Sequence, residues 1–150
     1  MGAYIFTPTE VLSEEADNGT IVDNVAHLAE SVVGHRIVNV EGWPGPRKSS
    51  VWSELQLRIT LDTDATVELA GTADCCAGTD LNSFLWNAET VDHIITGVRT
   101  EGGYEKWSIF ADFGDVLELT VDWGCGNPFY YGYGFEITVK NPDGTNRVEA

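Results

Sequence analysis

Basic residues are scarce in this chain. Its 8 lysines and arginines stand against 24 aspartates and glutamates, which leaves a formal net charge of -16. Nucleic-acid-binding proteins usually carry a basic stripe that neutralises phosphates, and here the basic residues cluster only at Arg47 and Lys48. We therefore expect no direct binding of nucleic acid. Such charge serves solubility through self-repulsion, attraction to a basic protein surface, or mimicry of nucleic acid.

Long apolar runs are also absent. No window reaches the roughly 18 apolar residues that a membrane span needs. The first residues, MGAYIFTPTEVLSEE, lack the basic and continuous apolar regions of a secretory signal. We expect no membrane partner and a location in the cytoplasm.

Common catalytic signatures are missing. The chain contains no G-x-x-x-x-G-K-[ST], no G-x-G-x-x-G between a strand and a helix, and no G-x-S-x-G. This disfavours the most common nucleotide-binding and hydrolase classes, and we expect no cofactor. Three cysteines cannot form a complete intramolecular disulfide framework, which favours reduced thiols in a cytosolic setting.

The length of 150 residues suits one domain with a substantial core. We expect residues 1–19 to form an irregular leader and residues 141–150 a polar tail. Apolar residues recur at helical spacing from Ile21 to Val33, with Thr20 as a plausible N-cap and Gly34 at the C-terminal stop. This pattern predicts one long helix.

Most of the remaining sequence predicts strands. Leu55, Leu57, Ile59 and Leu61 alternate with a polar face that includes Gln56, which is typical of a half-buried strand. The predicted strands are Tyr4–Phe6, His35–Glu41, Trp52–Leu61, Thr66–Ala70, Val91–Thr100, Tyr104–Asp112, Val116–Trp123 and Phe135–Lys140.

The segment Leu81–Trp86 favours a second, short helix. Leu81, Phe84 and Leu85 have the spacing i, i+3, i+4, and Thr79 or Asp80 offers a cap. Together these patterns predict an α+β fold. Its core element is a mostly antiparallel twisted sheet of about seven strands, covered by one long and one short helix, with a half-closed barrel as the alternative.

The least ordinary chemistry lies in the sequence GTADCCAGTDL. Cys75 and Cys76, with Cys125 and His93, are weak candidates for a zinc site. Their spacing argues against it, because neighbouring residues project apart. Cysteine catalysis is disfavoured because no histidine sits in a family-specific signature, and because Asp74 would raise a thiol pKa by like-charge repulsion. Buried thiols that act as small hydrophobic residues at a strand-to-helix junction remain the simpler interpretation.

A second unusual segment, GCGNPFYYGYG, precedes the last predicted strand. Its glycines allow close approach to a ligand, and its aromatic rings with polar tips suit a recognition surface. The alternative is that the aromatic residues plug one end of the sheet. As the residues of a surface that binds a ligand or partner we predict Asp74, Asp80, Asn127, Tyr130, Tyr131 and Tyr133.

Several sequence blocks also carry a family resemblance: GHRIVNVEG, VELAGTADCCAGTDLNSFL, DHIITGV and GCGNPFYYGYGFEI. Over about residues 34–140 the chain resembles an uncharacterised family of small acidic proteins of actinobacteria and their bacteriophages. The resemblance implies a phage or actinobacterial setting, and with it the cytoplasm of a bacterial host cell, or the virion if the protein is structural. It implies no activity and no catalytic residues.

These observations favour a non-enzymatic intracellular binding or accessory protein of phage origin that acts on a host protein or small ligand. Three alternatives stay open. The first is a virion component, such as a capsid decoration or tail accessory protein, and the second is a small metal- or thiol-dependent enzyme. The third is sequestration of a nucleotide immune signal by a local pocket near Arg47, Lys48 or Arg99. The oligomeric state is left open.

Overall fold

One helix and eight strands make up the part of the chain that the structure describes. The computed structural model describes residues 20–45, 53–73, 78–90, 92–124 and 134–146. The elements are α1 (Thr20–Val32), β1 (Ile37–Gly42), β2 (Ser53–Leu61), β3 (Thr66–Ala73), β4 (Gly78–Trp86), a single 3-10 turn (Ala88–Thr90), β5 (Gly97–Glu101), β6 (Lys106–Ala111), β7 (Gly114–Gly124) and β8 (Glu136–Lys140).

The predicted long helix is confirmed. Most of its apolar stripe is buried, namely Ile21, Val25, Leu28, Ala29 and Val32, and Val22 and Val33 are partly buried against the core. The helix stops at Gly34, which takes a positive φ of 88°, a conformation that glycine adopts without steric cost. Within the described residues, no helix has both the length and the apolar character needed to cross a membrane.

The strands form one antiparallel sheet in the order β1-β2-β3-β4-β7-β6-β5, and β8 pairs with β3. One edge of β3 is shared, because Thr66–Ala70 pair with β8 whereas only Thr72 and Ala73 pair with β4. Two halves of the sheet thus diverge from this junction. The ring of Phe84 in β4 occupies the space where a Cβ on Gly42 of β1 would lie, so the sheet curls around its core.

The sheet is not closed into a barrel, since β1 and β5 do not pair within the described residues. The segments that lead into these two strands do meet. Gly34 N donates to Ile95 O at 2.9 Å, and Ile95 N donates to His35 O at 2.9 Å. The α+β class and the mostly antiparallel sheet are therefore confirmed. Of the half-closed barrel, the described residues show these backbone contacts but no pairing between β1 and β5.

The predicted short helix at Leu81–Trp86 is wrong, because these residues belong to β4. The pairing of β4 with β7 shifts register between Leu81 and Ser83, as at a β-bulge. The extra residue sets buried Leu81 and half-buried Phe84 three positions apart, whereas Leu85 is 67% exposed. A bulged strand therefore imitated helical spacing.

Two other predictions need correction. The strand predicted at Val91–Thr100 begins only at Gly97. Gln56 does not lie on a polar face: the β2–β3 register shifts between Leu55 and Leu57, and Gln56 is fully buried. The predicted strand Tyr4–Phe6 and the leader lie outside the described residues.

Candidate functional site

The borders of the two unusual segments meet at one end of the sheet. In β3 and β4, Ala73 pairs with Gly78, and Gly78 also pairs with Gly124 at the end of β7. Directly opposed residues of an antiparallel pair have Cα atoms about 4.5–5.5 Å apart. The residues that border 74–77 and 125–133 therefore lie side by side.

Most of the predicted binding and metal-ligating residues fall within those two segments. Outside the described residues are Asp74, Cys75, Cys76, Cys125, Asn127, Tyr130, Tyr131 and Tyr133. Asp80 is described, and it lies in β4 two residues beyond Gly78. We name this end of the sheet, with Trp43, Asp80 and Asp122 as its described side chains, the loop-end surface.

Gly134 is the last residue of the second unusual segment, and α1 and β3 hold the chain at this point. The Asn24 amide donates to Phe135 O at 2.8 Å and accepts from Phe135 N at 2.9 Å. Thr72 Oγ1 donates to Gly134 O at 2.9 Å. A Cβ on Gly134 would collide with the Asn24 side chain, so this close approach requires glycine.

A buried amide supports the same corner from below. Gln56 Nε2 donates to Gly45 O at 2.9 Å, and Gln56 Oε1 accepts from Leu81 N at 2.7 Å. Gly45 N in turn donates to Leu81 O at 2.8 Å. The bulged glutamine thus replaces strand pairing where β1 runs into a loop, and joins that loop to β4.

Gly71 makes room for two polar side chains beside this amide. A Cβ on Gly71 would lie 2.5 Å from Gln56 Oε1 and 2.7 Å from Asp80 Oδ1, which is closer than Cβ contacts in proteins allow. Asp80 is half-buried as a result. Its carboxylate is placed by packing at the edge of the buried network.

Two carboxylates stand opposite each other at the loop-end surface. Asp80 of β4 and Asp122 of β7 are direct register partners, so their side chains project from the same face of the sheet. Asp122 is exposed. The two carboxylates therefore place negative charge on one face of the sheet.

An exposed aromatic ring lies on the neighbouring loop. Trp43 is 45% exposed and lies two residues before Gly45, which is hydrogen-bonded to β4. The Arg58 guanidinium carbon is 5.6 Å from the centre of the Trp43 ring. The ring therefore already receives a cation on one side.

His93 lies at the other end of the sheet. Its ring contacts the Phe113 ring with centroids 4.1 Å apart and planes tilted by 42°, and its Nδ1 is 3.2 Å from Asp112 Oδ1. Phe113 directly precedes Gly114, the first residue of β7, whereas Cys125 follows Gly124, the last residue. An eleven-residue strand spans roughly 30 Å, so His93 is far from the border beside Cys125.

The region around His93 is a shallow cleft of about 270 Å³, lined by Arg36, Asp92, His93, Ile94, Thr96 and Asp112. Within the described ranges, no three His, Cys, Asp or Glu side chains are grouped so that they could hold a metal ion. The cleft contains one arginine and two carboxylates, and none of its lining residues belongs to a catalytic sequence motif.

A family comparison matches residues 30–137 to the domain of unknown function DUF7448. The chain belongs to the DUF7448 family. The matched region starts in the last turns of α1 and ends in β8, so it contains both unusual segments. Searches of the curated proteins and of the solved structures gave no match.

Sequence reasoning missed several residues that shape the site. Nothing in the sequence indicates that Asn24 binds Phe135, 111 residues away. Gln56 was placed on the polar face because a bulge leaves no local sequence signal. Asp122 is not among the predicted site residues, since its pairing with Asp80 depends on strand order.

Proposed function

We propose that this protein is a non-enzymatic binding protein whose loop-end surface takes a segment of a partner protein that carries lysine or arginine. One observation carries the proposal: the pairing of Gly78 with Gly124 and the hydrogen bond from Thr72 to Gly134 bring the borders of both unusual segments to one place. Loops held by a rigid scaffold are frequent sites of recognition.

The chemistry of the described side chains supports a basic partner. Asp80 and Asp122 face each other across β4 and β7, and two carboxylates on one face attract a lysine or arginine side chain. Trp43 offers an exposed ring for cation–π contact. The net charge of -16 would speed the encounter with a basic surface.

The setting we propose follows from the family resemblance. The protein would be of phage or phage-derived origin and would act in the cytoplasm on a protein of its bacterial host. Its acidic surface suits that role, because its charge alone attracts a basic host protein and no catalytic group is needed.

A charge-matched comparison tests the proposal. The double variant Asp80→Asn, Asp122→Asn should bind a synthetic lysine-rich peptide about fivefold more weakly than the natural protein, as measured by calorimetry at about 150 mM salt. The control is Asp64→Asn with Glu89→Gln, which removes the same charge. Asp64 lies in the β2–β3 turn and Glu89 follows β4. Both are exposed, and both lie at the opposite end of their strands from the loop-end surface.

The control should bind the peptide within about twofold of the natural protein. Equal weakening by both double variants would mean that the peptide senses only net charge, and the surface assignment would then be wrong. Joint alanine substitution of Tyr131 and Tyr133, the residues that the sequence assigns to the same surface, should weaken binding as well.

A further inference from the structure

The turn between β5 and β6 has an unusual backbone. Gly102, Gly103 and Tyr104 are consecutive residues with φ values of 65°, 72° and 65°. Glycine adopts this left-handed region freely, but a bulky residue such as tyrosine rarely does. Tyr104 is also fully buried, so its packing and its backbone contacts must hold the turn in this form.

Two tryptophan side chains bind adjacent carbonyls of this turn. Trp123 Nε1 donates to Gly103 O at 3.0 Å, and Trp107 Nε1 donates to Tyr104 O at 2.8 Å. The peptide plane fixes the spacing of neighbouring residues at about 3.8 Å between Cα atoms. The two indole donors are therefore held at a set distance by one short piece of backbone.

One of these tryptophans precedes the first border of the segment 125–133 in sequence, and the other packs against the second border. Trp123 directly precedes Gly124, where the chain leaves the described structure. The ring of Trp107 packs edge-on against Phe135, with centroids 5.4 Å apart and planes at 87°, and Phe135 follows the point where the chain returns. The turn at Gly102–Tyr104 thus contacts both borders, one through each indole.

We propose that this left-handed turn is a clamp that couples the two borders of the segment 125–133 and so controls binding at the loop-end surface. The part about binding rests on the proposed function. The coupling itself does not: a border that shifts must either break an indole hydrogen bond or change the turn, and a changed turn displaces the carbonyl that holds the other border.

Hydrogen exchange tests the coupling without any ligand. Trp123→Phe keeps an aromatic ring but removes the donor to Gly103 O, at the first border. If the clamp exists, the amide of Phe135 at the second border, which donates to Asn24, should exchange about tenfold faster. The amide of Asp62 in the β2–β3 turn, which donates to Arg36 O, should keep its exchange rate. Trp43→Phe is the matched control and should leave both rates unchanged.

A second variant acts on the turn itself and leaves the tryptophans intact. An alanine Cβ at Gly103 meets no atom within 4 Å, so Gly103→Ala changes only the preference for positive φ. It should also speed exchange at Phe135. Gly144→Ala, at a positive φ of 88° with equally open space, should not. An unchanged Phe135 rate in both Trp123→Phe and Gly103→Ala, or an equal increase at Asp62, would overturn the clamp.

Affinity for the lysine-rich peptide separates the clamp from the proposed function. If both hold, Gly103→Ala should weaken peptide binding about threefold, whereas Gly144→Ala should not. Faster exchange at Phe135 together with equal weakening by the two charge-matched double variants would retain the clamp and reject the basic partner. An unchanged exchange rate at Phe135, together with weaker peptide binding only in the Asp80→Asn, Asp122→Asn variant, would retain the basic partner and reject the clamp.

Discussion

At the scale of single residues, Gln56 shows how one side chain can connect segments that no strand pairing joins. It is fully buried, and its amide bonds the carbonyl of Gly45 and the amide N–H of Leu81. A buried polar group is stable only when its hydrogen bonds are satisfied. The corner that carries Asp80 therefore depends on an amide at this position.

Replacing Gln56 with leucine should destabilise the protein by about 2–4 kcal/mol. A similar volume remains, but the buried N–H of Leu81 and the partly buried carbonyl of Gly45 lose their partner. Chemical denaturation monitored by far-ultraviolet circular dichroism measures the change. Asn39→Leu is the control: Asn39 is an exposed strand amide, and its replacement should cost no more than about 0.5 kcal/mol. Similar costs for both variants would mean that the buried amide bridge is not needed.

At the scale of elements, a carboxylate on β3 ties three strands together. Glu68 accepts from Arg58 Nε of β2 at 2.8 Å and pairs with Lys140 Nζ of β8 at 2.9 Å. Burial alone would raise the pKa of Glu68. The hydrogen bonds and charges of Arg58 and Lys140 outweigh burial and leave that pKa below its ordinary value of 4.5.

The lowered pKa makes stability depend on pH with a definite sign. The unfolded chain binds a proton at Glu68 more readily than the folded protein does, so acid favours unfolding. The contribution is complete above about pH 5 and is lost as the pH falls through the pKa of the folded state. Glu68→Gln should therefore flatten the loss of melting temperature between about pH 5 and pH 3.

The matched control for this pH dependence is Glu30→Gln, on the exposed face of α1. It should leave the slope of melting temperature against pH close to that of the natural protein. A slope that stays unchanged in Glu68→Gln would mean that other carboxylates, such as Asp62 beside His35 and Arg36, dominate acid unfolding.

The strands also show how far sequence patterns reach. The alternation of Leu57, Ile59 and Leu61 predicted β2 well, because its side chains follow the strand period where no bulge intervenes. At Gln56 and between Leu81 and Ser83 the register shifts, and local periodicity then points to the wrong face or the wrong element. Bulges depend on the partner strand, which a single segment does not reveal.

At the scale of the whole molecule, strand order decides what the site contains. Asp80 was a predicted site residue, but its opposition to Asp122 arises only because β4 pairs with β7 instead of β5. The two unusual segments stand out by composition alone, and the pairing of Gly78 with Gly124 brings their borders together. The supports of the site, Asn24 and Thr72, were not predictable, because both act through contacts between residues far apart in sequence.

The large negative charge predicts how the molecule as a whole responds to salt. Sixteen excess negative charges repel one another and oppose the compact state. Salt weakens this repulsion, since the Debye length falls from about 30 Å at 10 mM to about 8 Å at 150 mM. Salt also weakens attractive pairs such as Arg99 with Asp115 and Lys106 with Glu118, but these are partly exposed and are worth little.

Repulsion should therefore dominate, and the melting temperature should rise by a few degrees between about 10 mM and 150 mM sodium chloride. Thermal unfolding by circular dichroism measures the rise. The double variant Asp64→Asn, Glu89→Gln lowers the excess from sixteen to fourteen charges, because two of the 24 acidic residues are neutralised, and it should show a smaller rise. A melting temperature that falls with added salt would mean that paired charges, and not the excess, control the stability of this protein.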